Sequence, residues 1–112
     1  MAKFLFEASY TVEGVQGLQR VGGSSRRDAV ATAVESVGGR LERFYFAFGD
    51  HDAFVVADLP SNQSAAAVAL AVSAAGGASV RTVVLLTPEE VDAAVKRSVD
   101  YRPPEWDEPR HM

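Results

Sequence analysis

Imidazole is the side chain that titrates near neutral pH, and this chain holds two, His51 and His111. His51 is the sharper candidate. It stands between Asp50 and Asp52, and an imidazole flanked by carboxylates suits general acid or base work. The competing reading is a hairpin turn, because Asp, His and Gly all tolerate turn geometry and a solvated turn histidine is the commoner case. A metal site at Asp50, His51 and Asp52 is disfavoured, since adjacent residues seldom point at one ion and no second histidine lies close in sequence. We expect no metal and no cofactor.

A second group is Glu7, Arg43 and Tyr45, charged or phenolic residues set in otherwise apolar stretches. An unpaired charge there is costly, so each implies a partner. In a site, Arg43 would clamp a carboxylate and Tyr45 would donate a proton alongside His51, with Glu7, Tyr10, Phe46 and Asp52 as ligand contacts. The plainer reading pairs Glu7 with Arg43 as an edge or intersubunit salt bridge. A third feature is the glycine-rich stretch with Gly14, Gly17, Gly22 and Gly23, followed by Ser24-Ser25-Arg26-Arg27. It lacks the lysine and serine of a P-loop, yet a helix start with arginines can hold an anion. Flexible turns or a lid are the alternatives. Last, Tyr101 to Met112 carries Pro103, Pro104 and the single Trp106, the pattern of an extended docking peptide with one aromatic anchor.

The elements that position these residues are read from periodicity. Phe4, Phe6, Ala8 and Tyr10 alternate with Lys3, Leu5, Glu7 and Ser9, a first strand. Thr11 to Gly23 reads as a surface loop with at most one helical turn. Ser25 to Asp28 resembles a capping box opening a helix through Val37, which Gly38-Gly39 stops. Arg40 to Phe48 and Ala53 to Leu59 form a hairpin across Gly49 to Asp52. After Pro60, Ser61 or Asn62 caps an alanine-rich helix ending at Gly76-Gly77. Val80 to Leu86 is a fourth strand. Thr87-Pro88-Glu89-Glu90 opens a last helix through about Val99.

Strand, helix, strand, strand, helix, strand is a ferredoxin-like βαββαβ order, an α+β class, here with an extra C-terminal helix. We divide the chain into a folded domain over residues 1–99 and an extended proline-rich tail over 100–112. Two helices cover one face of such a sheet, and here both alternate sets are largely apolar, so the second face needs a cover. A second copy of the chain is the simplest one, giving a dimer or a multiple of dimers; the last helix and tail folding back is the alternative.

Composition narrows the partners. The 112 residues are 47% hydrophobic and 23% charged, the balance of a globular domain. A net charge of −4 with scattered basic residues leaves no stripe for a nucleic acid to follow. Without cysteine there is no disulfide or thiolate chemistry. The N-terminal apolar run is too short for a secretory segment, and Leu59 to Val80 is too polar to span a membrane. A cytoplasmic location, no membrane contact and no nucleic-acid partner are the expectations.

Several motifs together resemble the GYD domain family, small bacterial proteins of ferredoxin-like fold related to the dimeric α/β barrels. They are Thr11-Val12-Glu13-Gly14 after the first strand, Gly38-Gly39 before the second, Phe44-Tyr45 leading to Gly49-Asp50-His51-Asp52, and Val80-Arg81-Thr82 opening the fourth strand. In the family the third motif is Gly-x-Tyr-Asp, so Gly49 and Asp52 match while His51 replaces the usual tyrosine. The resemblance implies fold and dimeric barrel association but no common activity.

Three functions compete: a non-catalytic binding or accessory protein holding an apolar small molecule; a cofactor-independent enzyme of monooxygenase, isomerase or cyclase type acting on an aromatic or polyketide-like substrate; and a structural module docked to a protein partner through its tail. The first is favoured because it requires no special residue.

Overall fold

A computed structural model describes residues 1–104; Trp106 and His111 fall outside the described residues. Eight elements follow in the order β1 (Ala2–Tyr10), α1 (Val12–Val21), α2 (Gly23–Ser36), β2 (Arg40–Phe46), β3 (Ala53–Leu59), α3 (Asn62–Ala74), β4 (Ala78–Leu85) and α4 (Pro88–Val95). The strands form one sheet in the order β2-β3-β1-β4, antiparallel throughout. This is the ferredoxin-like arrangement that the element order implies.

Alternation along β1 and β3 places Phe4, Phe6, Val55, Ala57 and Leu59 on one face, where they pack with Val34 of α2 and with Ala65 and Val68 of α3 as the core. In β2 the alternation breaks. Leu41 and Arg43 face the adjacent residues Ala57 and Val56, leaving Glu42 as the extra residue of a β-bulge. The bulge keeps Leu41, Phe44 and Phe46 on the helix side, and Arg43 and Tyr45 on the open side. The two apolar sets seen in β2 are therefore one set split by an inserted residue.

The stretch from Thr11 to Gly23 is a helix rather than a loop. The Thr11 hydroxyl caps α1 by accepting from the Gly14 amide at 3.1 Å and itself donates to the Gly76 carbonyl at 2.9 Å. A Cβ on Gly14 would stand 1.9 Å from the Gly77 carbonyl oxygen. That glycine is present because two backbones touch there, not because the chain bends. The bend comes at Gly22, whose φ of +85° ends α1 and starts α2. Hence α2 begins at Gly23 without a side-chain cap, ahead of the capping box expected from Ser25 to Asp28.

Other boundaries differ by a few residues. β2 stops at Phe46, not Phe48, and β4 starts at Ala78, not Val80. Ser61 caps α3, and Thr87 with Glu90 forms a reciprocal capping box on α4. α4 ends at Val95 instead of Val99, and every residue from Pro88 to Pro104 is exposed, so α4 does not cover the open face of its own sheet. Among the described residues no helix is long and apolar enough to cross a membrane.

Candidate functional site

Between the sheet and its helices lies a partly open cavity of about 530 Å³. Its floor is the helix-side row Ala8, Ala53 and Val55, with Phe44 beyond them; Ala29, Val30 and Ala33 of α2 and Ala71, Val72 and Ala75 of α3 form its sides. Interiors are ordinarily close-packed. The space exists here because both helices turn alanine toward it, and because α1 closes one end with Gly14 and Gly17 beside Arg20 and Val21. The volume falls in the range of small-molecule sites, roughly 300–1,000 Å³. A narrower hollow of about 40 Å³ continues the space, sharing Ala8, Val30, Val55 and Val72 and reaching Phe6, Val68 and Val80.

Three polar side chains meet the cavity: Tyr10 at the end of β1, Arg20 in the last turn of α1 and Arg26 in the first turns of α2. Burial pushes the Tyr10 phenol above its ordinary pKa, and the nearby Arg26 guanidinium partly opposes that shift. The backbone around Tyr10 is fixed by Asp52, whose carboxylate accepts from the Tyr10 amide at 2.8 Å while its own amide donates to the Ala8 carbonyl at 2.8 Å. Asp52 thus ties the start of β3 to the end of β1, beyond their paired register.

Of the residues expected at a site, Tyr10 lines the cavity. Phe46 stands beside Phe44 of the lining, the two rings tilted at 57° with centroids 5.0 Å apart. Asp52 holds the Tyr10 backbone at the end of the cavity, while His51, Arg43, Tyr45 and Glu7 lie on the opposite, open face. His51 is half-buried there, its Nδ1 3.2 Å from the Ser9 hydroxyl and its ring edge-on to Phe54 at 5.9 Å; it is neither a freely solvated turn residue nor a cavity group. Tyr45 is opposite Phe54, and Arg43 is opposite Val56. Both are exposed, and the Arg43 guanidinium donates to the Glu42 carbonyl at 2.9 Å. Glu7 does not pair with Arg43: its register neighbours are Phe54 and Arg81. Pro103 and Pro104 are exposed and outside regular structure.

The strongest electrostatic unit on the open face was not foreseen. Lys3 bridges Glu42 and Asp58, and Arg40 reaches the second oxygen of Asp58 at 3.1 Å. Hydrogen bonds to Glu42 and then Asp58 raise the Lys3 pKa, and the Lys3 hydrogen bond, with Arg40 behind it, lowers that of Asp58. Among the described residues no group of three or more His, Asp or Glu is arranged to hold a metal ion.

Sequence reasoning missed Arg20 and the alanine walls. Arg20 was hidden in a segment read as loop. In sequence the small-sided alanine helix that includes Ala75 suits close approach to a sheet, and only the facing of α2 and α3 across a gap gives alanine at 29, 33, 71 and 75 the opposite meaning.

No curated protein matches the chain. The GYD domain family model matches residues 4–95, which takes in everything from the core of β1 to the end of α4, and the chain belongs to the GYD domain family.

Proposed function

We propose that this protein is a non-catalytic small-molecule-binding or accessory protein whose ligand sits between the sheet and the helices. The observation that carries this reading is the cavity of about 530 Å³ walled by alanine and glycine. Alanine at 29, 33, 71 and 75 keeps the space between sheet and helices open where a packed core would carry larger side chains. The enzymatic alternative needs His51, Arg43 and Tyr45 to converge on one site, and within one chain they lie on the open face, away from this cavity.

The test uses N-phenyl-1-naphthylamine, an uncharged dye whose fluorescence rises when it leaves water. Saturable binding at one dye per chain, abolished in an Ala33→Phe variant that melts as cooperatively as the wild type, is the expected result. Dye binding that survives Ala33→Phe, or none at all, overturns the cavity reading.

The open face supports a second copy of the chain as partner. Leu5, Phe54, Val56 and Leu85 are half-buried there, Tyr45 is 64% exposed and Val83 is 37% exposed. The face carries both signs of charge, with Lys3, Arg40, Arg43 and Arg81 beside Glu7, Glu42 and Asp58. A patch that must meet its own copy across a two-fold axis needs that mixture. Light scattering at micromolar concentration should give a mass twice the 12.0 kDa of one chain; a value of one chain length across the accessible range would count against it.

A further inference from the structure

The cavity is not uniform along β1. At the Tyr10 end it meets the phenol and the guanidinium groups of Arg20 and Arg26. Toward Phe6, four residues back and about 13 Å away at roughly 3.3 Å per residue, the lining is apolar alone. A ligand filling both parts needs a polar head and an apolar body.

The charge of the head follows from what the arginines lack. The lining contains no carboxylate, and among the described residues neither Arg20 nor Arg26 takes part in an ion pair. Arg26 is half-buried, where a cation without an opposite charge is disfavoured. Arg20 reaches over the cavity wall, with its guanidinium 3.8 Å from the place a Cβ on Gly17 would take. The acid that acts on Tyr10 is Asp52, whose carboxylate is already engaged by the Tyr10 amide. Arg26 already hydrogen-bonds the Tyr10 hydroxyl, but a guanidinium has five N–H donors, so the two arginines at the mouth of an apolar slot keep donors to offer an anion.

Resting on the cavity reading above, we infer that the ligand class is an amphipathic carboxylate. Its head is held by Arg26 and Arg20 with Tyr10 donating, and its alkyl or aryl body lies along β1 toward Phe6, Val68 and Val80. The assignment concerns binding; no bond is made or broken.

The experiment displaces bound N-phenyl-1-naphthylamine from the full chain with decanoate, 1-decanol and decylamine, which share one tail and differ in the head. Decanoate is expected to displace the dye at concentrations about tenfold below those of 1-decanol, the scale of a charge-assisted hydrogen bond, with decylamine weakest. Arg26→Gln should bring decanoate and 1-decanol to within about twofold of each other, and Arg20→Gln should narrow the gap less. Equal displacement by all three probes, or a decanoate preference that persists in both variants, overturns the head-group assignment while the cavity reading stands. Failure of the dye to bind at all overturns the cavity reading, and this inference with it.

Discussion

On the open face of the sheet Lys3 and Arg40 sit against Glu42 and Asp58, whereas on the helix face Arg20 and Arg26 look into a cavity whose lining has no acid. The first arrangement is closed. Its charges are satisfied within one chain and serve to join β1, β2 and β3. The second is open, and its charges can be satisfied from outside. The difference teaches where to look for a ligand in a small α+β domain. Residues that seem chemical in sequence, such as Glu7, Arg43 and His51, lie on the open face, while of the groups left for binding Arg20 and Arg26 stand on helices and Tyr10 at the end of β1.

That contrast depends on α1 lying against the α3–β4 connection, and Gly14 is the place to break it. A Cβ there would meet the Gly77 oxygen at 1.9 Å and the Gly77 carbonyl carbon at 2.9 Å, backbone atoms that cannot swing aside. Gly14→Ala should therefore lower stability by about 3 kcal/mol or more in urea unfolding, even though alanine is favoured over glycine in a helix by about 1 kcal/mol. At Gly17 the nearest atom is the tip of a flexible arginine at 3.8 Å, and Gly17→Ala should keep up to about 1 kcal/mol of that helix preference. Equal effects at the two sites would mean that α1 does not close the cavity as described.

Much of the architecture could be read from the chain because local signals agree with the fold. Strict alternation in β1 and β3, the serine cap of α3 and the reciprocal cap of α4 each act over a few residues. α1 could not be read, since Gly14 and Gly17 count against a helix by propensity, and the contact that requires Gly14 lies more than sixty residues away in sequence at Gly77. The bulge at Glu42 escaped for a similar reason: pairing with β3 decides which residues of β2 are out of step. The site was legible in part. Tyr10 and the arginine-bearing helix start were visible, and Arg26 lies within it, but their meeting with Arg20 needs the turn at Gly22. Asp52, in the Gly49 to Asp52 turn, also gains a physical meaning from the structure. Asp52 holds the end of β1 through the Tyr10 amide, a task indifferent to whether His51 or a tyrosine precedes it.

The smallest effect sharpens the same comparison through pH. Asp58 has a depressed pKa because Lys3, and behind it Arg40, favours the carboxylate. A carboxyl group whose folded pKa lies below its unfolded value of about 3.9 adds stability that is present above that value and lost as pH falls through the folded one. Lys3 has a raised pKa, so its contribution is present below an unfolded value of about 10.4 and lost as pH rises through the folded one. In Asp58→Asn the acid-side loss below about pH 4 should become shallower. The alkaline side should change less, because the Glu42 hydrogen bond, the larger cause of the Lys3 shift, is kept. Thermal melts between pH 3 and 11, run at low salt where partly exposed pairs are least screened, would show both limbs. The dye affinity of the same variant should match the wild type, since Asp58 lies on the other side of the sheet from the cavity. A loss of dye binding would mean that the two faces are coupled through β1 and β3 and that the open-face charges help set the width of the site.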